Sequence, residues 1–103
     1  MAATPESKVK KQVVEILKHE RVYYFYPVTG GFGRSGVPDI VCCLNGRFFG
    51  IECKAGTNKP TALQEAEMAR IRLAGGKTLV VNETNLNDVK ELVAWIKKQP
   101  QEN

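Results

Sequence analysis

Histidine and tryptophan occur once each in the 103 residues, and cysteine three times. With one histidine and no Cys-x-x-Cys pair, the chain lacks an ordinary zinc ligand set. Cys42, Cys43 and Cys53 all fall in apolar, strand-like stretches, so buried free thiols in a reducing cytoplasm are expected. No apolar run approaches the roughly 18 residues a membrane helix needs, and the longest uncharged stretch, 22–33, is interrupted by Pro27. The N-terminus carries no apolar signal-peptide segment. Internal repeats and low-complexity tracts are also absent. There is too little chain for a second core, so one domain over 1–103 is expected. Neither a membrane nor a small-molecule cofactor is expected as a partner. The net charge of +4 and pI of 9.1 suit an anionic partner and equally suit an ordinary solvated surface.

The most informative stretch is 39–54, PDIVCCLNGRFFGIECK from Pro38 onward. Residues 41–44 and 48–51 are uncharged and β-branched, thiol-bearing or aromatic, and Asn45-Gly46 between them is a strong hairpin signal. Strand side chains alternate between faces, so Glu52 and Lys54 share one face, and Ile51 and Cys53 the other. Folding back at Asn45-Gly46 brings Asp39 level with Glu52 and Lys54. Neither strand shows the polar face of an exposed sheet, so both read as central. Charged groups are rarely buried without partners. Either Lys54 simply pairs with a carboxylate at a strand end, or the acid pair holds a divalent cation. Two carboxylates with several waters suit Mg²⁺.

Elsewhere the chain is regular. Residues 6–20 read as a helix with Val9, Val13, Ile16 and Leu17 on one stripe, Thr4 as its cap and Pro5 at its first position. Glu6 continues that stripe and Glu15 lies off it. Residues 21–28 read as a strand whose aromatics, Tyr23 to Tyr26, show little alternation: they are either buried on both faces or form an edge over which DNA could lie, and core packing is expected for most of them. Four glycines within 30–36 make a loop that lets a phosphate backbone come close, with Arg34 to grip it and Gly33 and Ser35 beside it; a plain connector is the alternative. After a loop at 55–60, where Lys59 is available to a phosphate, Thr61 and Gln64 form a capping box for a helix ending near Ala74. Residues 77–82 read as a fourth strand. Asn85 is the expected cap of a last helix with the stripe Leu86, Val89, Val93 and Ile96, and Trp95 lies off that stripe. The order is αβββαβ plus a C-terminal helix: an α/β fold of the α+β, mixed-sheet kind, with helices on both faces.

Pro38-Asp39, twelve residues, then Glu52-Cys53-Lys54 resembles the PD-(D/E)XK nuclease signature. With Gly33-Arg34-Ser35-Gly36-Val37 before it and Thr61…Gln64 after it, the span from about residue 6 to residue 81 resembles stand-alone VRR-NUC (virus-type replication-repair nuclease) domains. That resemblance implies a restriction-endonuclease-like core and a metal-dependent, structure-selective DNA endonuclease similar to Holliday-junction resolvases. It implies Asp39, Glu52 and the Cys53 carbonyl as ligands to Mg²⁺ or Mn²⁺. Lys54 would orient or help deprotonate the attacking water. It also implies an acidic residue on the first helix, carried by stripe alignment to Glu6 (rather than Glu15), and a site role for Gln64. The plain alternatives are that Glu6 complements the helix dipole and that Gln64 only caps. Branched DNA as substrate, a homodimer and a bacterial or phage-infected host cell complete what the resemblance implies. The competing expectation is a non-catalytic nucleic-acid-binding module of the same fold.

Overall fold

The computed structural model describes residues 4–28 and 33–101, so Gly30, Gly31 and Phe32 of the glycine-rich loop lie outside the described residues. Helix α1 (Pro5–His19) starts where Thr4 Oγ1 accepts the Ser7 N–H at 3.0 Å, with Pro5 at the first helical position. Its Val9, Val13, Val14 and Leu17 are buried. Strands β1 (Tyr23–Phe25), β2 (Ile40–Leu44) and β3 (Arg47–Cys53) form an antiparallel meander. Helix α2 (Ala62–Leu73) then crosses over to β4 (Lys77–Val81), which lies parallel to β3, and α3 (Asn87–Lys97) follows. The sheet order β1-β2-β3-β4 makes β2 and β3 central, as their unbroken apolar runs require.

The hairpin turn has Asn45 at φ 56° and Gly46 at φ 78°, the left-handed pair that matches strand twist in a two-residue turn. Asn45 Nδ2 also donates to the carbonyls of Ile96 and Gln99, at 3.2 and 2.8 Å, and so closes the C-terminal end of α3. Helix α2 begins on the expected capping box: the Gln64 N–H donates to Thr61 Oγ1, and the Thr61 N–H donates to Gln64 Oε1.

Cross-strand partners share a face, and the register sorts the two faces cleanly. On one, Ile40 with Ile51, Cys42 with Phe49, and Cys53 with Val81 pack against α1 and α3 as the main core. Each such large apolar side chain, fully buried, contributes about 1.5–3 kcal/mol. On the other face, α2 packs on β3 and β4. Gly50 faces α2, and a Cβ there would lie 2.7 Å from Cγ of Pro38 and 3.4 Å from Cδ1 of Ile71. Pro38 therefore rests directly on the bare backbone of Gly50.

Four sequence expectations are corrected. Strand β1 is three residues long instead of spanning 21–28, because Arg21 turns left-handed at φ 59° and β1 pairs only with residues 41–43 of β2. Two of its three aromatics are not core: Tyr23 is 69 % exposed and Phe25 47 %, because α2 packs on β3 and β4 and not on this edge, whereas Tyr24, on the opposite face, packs against the core as expected. Cys43 is exposed on the same face, although Cys42 and Cys53 are buried as expected. Asn85 does not cap α3, which starts after Leu86 with no side-chain cap. Its Oδ1 accepts the Asn82 N–H, and its Nδ2 donates to the Val80 carbonyl and the Asp88 carboxylate, so its hydrogen bonds go to the turn before the helix.

Candidate active site

Asp39 stands immediately before β2, and Glu52 is the penultimate residue of β3. Continuing the register from the Ile40–Ile51 pair sets the two side by side on the α2 face. Pro38 has no N–H and helps end the β2 ladder there. In place of a backbone carbonyl, Asp39 Oδ2 accepts the Cys53 N–H at 2.8 Å. The partnership of β3 with β4 runs one residue further, with the Lys54 N–H donating to the Val81 carbonyl at 2.9 Å. The end of β3 is thus held on both sides, by an acidic side chain and by a neighbouring strand.

Glu52 is 1 % exposed. Its Oε2 lies 3.5 Å from Lys54 Nζ, while its Oε1 is buried with no hydrogen-bond partner among the described residues. Such an oxygen carries an uncompensated desolvation cost. Burial first, and the charge of Asp39 second, push the Glu52 carboxyl up to about 7 against the opposing pull of Lys54. Glu6 adds a smaller push in the same direction. Burial likewise pushes the Cys53 thiol up to about 12, helped by Asp39 and Glu52. That thiol lies on the core face, so the residue meets the site through its backbone only.

Among the described residues no three His, Cys, Asp or Glu side chains come together as a metal group. The two carboxylates with a backbone carbonyl and waters are nevertheless an all-oxygen set. The unpartnered oxygen of Glu52 is the kind of buried acceptor that a hard divalent cation satisfies. The residues present fit such an ion.

Glu6 sits half-buried in the first turn of α1, close enough to act electrostatically on Glu52 and Cys53. Glu15 instead lines a groove between α1 and α3 with Gln12, His19 and Lys90. Gln64 is half-buried in the first turn of α2, its Oε1 committed to the cap, so its amide NH₂ end is the donor left for the site. Gly36, at φ 80°, lies against that same turn: a Cβ there would sit 2.6 Å from the carbonyl carbon and oxygen of Leu63. The described end of the glycine-rich loop is thereby seated on the start of α2. Gly33, Ser35 and Lys59 are exposed. Arg34 donates to Glu67 Oε1 at 2.9 Å, and Arg70 reaches the same oxygen at 3.7 Å. The sequence reading missed Glu67 and Arg70. Gln64, Glu67 and Ile71 follow helical spacing along one side of α2, and that stripe was the available signal.

No family model matches the chain. It is 34% identical over 86 residues to "Putative nuclease p44" of Acyrthosiphon pisum secondary endosymbiont phage 1, which covers 82% of this chain and 89% of that protein. A solved "VRR_NUC domain" shares its backbone with a TM-score of 0.71 at 27% identity, over 89% of this chain and 97% of that one. Both likenesses take in the Asp39 hairpin and the α2 crossover that hold the acids together, and the four-stranded mixed sheet with three helices agrees with them. The chain belongs to the VRR-NUC family of nuclease domains.

Proposed function

We propose that this chain is a metal-dependent DNA endonuclease that hydrolyses phosphodiester bonds, recognises DNA by shape, and resolves four-way junctions as a homodimer. One observation carries the reading: Glu52 Oε1 is buried and unpartnered beside Asp39 and Lys54. A structural ion pair has no need of that second acid, and an acid pair short of a counter-charge is suited to a cation and a phosphate. Family membership supplies the reaction class. Nothing in the sequence marks direct base readout, which favours recognition of shape. Symmetric cutting of a four-way junction needs two sites, and a two-fold dimer is the simplest way to provide them.

Asp39, Glu52 and the Cys53 carbonyl would hold Mg²⁺ or Mn²⁺, which supplies Lewis-acid stabilisation of phosphoryl charge and a more acidic water. The protein's own groups do the rest. Asp39, bonded to the Cys53 N–H, orients the peptide at the end of β3. Lys54, held by Glu52 and only 12% exposed, donates hydrogen bonds to the attacking water and the scissile phosphate. Gln64 offers its amide protons from the first turn of α2. Arg34 and Lys59 grip flanking phosphates, and Gly33 and Ser35 let the backbone approach. Water attacks phosphorus, the bond to the 3′ oxygen breaks, and the products carry a 5′-phosphate and a 3′-hydroxyl.

The test is incubation with four-way, flap and linear duplex DNA in Mg²⁺, in Mn²⁺ and in chelator. Paired cuts in the four-way junction, abolished by chelator and by Asp39→Ala or Lys54→Ala with binding retained, are expected. Binding without cleavage under either metal would instead mean a non-catalytic module. Sedimentation as a monomer would overturn the homodimer.

A further inference from the structure

The sheet face that carries Asp39 and Glu52 continues into a surface that α2 does not cover. The register aligns Tyr23, Cys43 and Phe48 in one row across it, and Phe25, Val41 and Gly50 in the next. The Tyr23 and Phe25 rings meet edge-on with centroids 6.4 Å apart. Phe25 lies opposite Val41, so it is about 7 Å along the strands and about 5 Å across them from Asp39. That is roughly two stacked-nucleotide steps. Two exposed guanidinium groups form the rim. Arg34 and Arg70 share the single carboxylate of Glu67, which leaves the cluster net positive. A groove of about 360 Å³, lined by Phe48, Glu67 and Ile71, connects them to the open sheet.

Bare aromatic rings beside paired arginines suit a partner with flat faces and a phosphate backbone. A second copy suits it poorly, because it would bring another chain of net charge +4 against the same rim. Intact duplex suits it poorly too, because its bases are already stacked inside. We propose that Tyr23 and Phe25, with Arg34 and Arg70 at their edge, form a stacking platform for unpaired nucleotides. Bases that unpair at the branch point of the DNA, next to the scissile bond, would then be held there. This assignment rests on the nuclease reading, but its two rings, Tyr23 and Phe25, take no part in the reaction itself.

Fluorescence anisotropy in chelator, where no cleavage occurs, tests it. The probes are a fluorescent oligothymidylate and an abasic strand of the same length. The protein binds the first at least about tenfold more tightly, the worth of one base on one ring. Tyr23→Ala with Phe25→Ala removes that difference and retains abasic affinity, and Tyr23→Trp with Phe25→Trp restores it. Arg34→Gln with Arg70→Gln weakens both probes alike. Equal binding of the two strands by the unaltered protein overturns the platform, even if the protein cleaves DNA. So does a double alanine variant that keeps its preference for bases, or one that dissociates a dimer and binds DNA as before. Base-dependent binding by a protein that cuts no substrate keeps the platform and refutes the nuclease reading alone.

Discussion

Replacing Glu52 by glutamine keeps the side chain's shape and removes its charge, so it isolates the electrostatic cost of the site. In the folded chain the carboxyl is pushed from an ordinary value of 4.5 up to about 7, chiefly by burial. Each unit is worth 1.36 kcal/mol, so holding Glu52 ionised in the fold costs about 3 kcal/mol. The attraction of Lys54 is already contained in that shift. The sign follows from proton uptake. Between the unfolded and folded values the native chain binds more protons than the unfolded one, so stability falls as pH rises. Glu52's contribution is fully present below 4.5 and is gone once pH passes about 7. Glutamine mimics the protonated acid. Glu52→Gln should therefore match the unaltered protein below the window and exceed it by about 3 kcal/mol above it. Urea denaturation in chelator, on both sides of the window, measures this directly. Adding Mg²⁺ above the window should stabilise the unaltered protein by mass action and leave the variant unmoved. Parallel pH profiles for the two proteins would refute the claim that a buried, under-compensated carboxylate lies at the centre of this site.

Asp39→Asn keeps an oxygen for the Cys53 N–H but removes the charge, so it should abolish cleavage, hold stability within about 1 kcal/mol and lower the Glu52 carboxyl. Asp39→Ala should cost about 1–3 kcal/mol more, because it leaves that N–H without a partner; paired urea midpoints separate the two. Gly36→Ala places a Cβ against the Leu63 carbonyl in a left-handed backbone, so a loss of at least about 1–2 kcal/mol is expected in a thermal melt, with cleavage falling as the loop leaves α2. Asn45→Ala loses two hydrogen bonds to the end of α3 and the residue's ease in a left-handed turn. About 2–4 kcal/mol in urea denaturation is expected.

Local chemistry was legible wherever a few adjacent residues decide the outcome. Asn45-Gly46 declared the hairpin, Thr61 and Gln64 the start of α2, and Thr4-Pro5 the start of α1. Charges inside apolar strands pointed to Asp39, Glu52 and Lys54, and strand periodicity put them on one face. Tyr23 and Phe25 were misread because a run without alternation looks the same whether both faces are covered or one is bare. Only the placement of α2 over β3 and β4 decides between those cases, and no residue in β1 encodes it. Cys43 was misread for the same reason. The Arg34–Glu67 pair spans a loop and a helix, so its geometry exists only after folding. The unpartnered oxygen of Glu52 is likewise a property of packing, since composition cannot reveal which acceptor goes unmet.

Pro38 seated on the bare Cα of Gly50 has a mechanical consequence for the chemistry two positions away. The proline ring acts as a spacer whose thickness sets how near the loop can settle to β3, and Asp39 inherits that height. A methyl group at position 50 would raise the spacer and lift one carboxylate off the plane of the other, although it touches neither. The separation of the two acids is therefore governed by a residue with no side chain, in the middle of a strand that takes no part in the reaction until its last two positions.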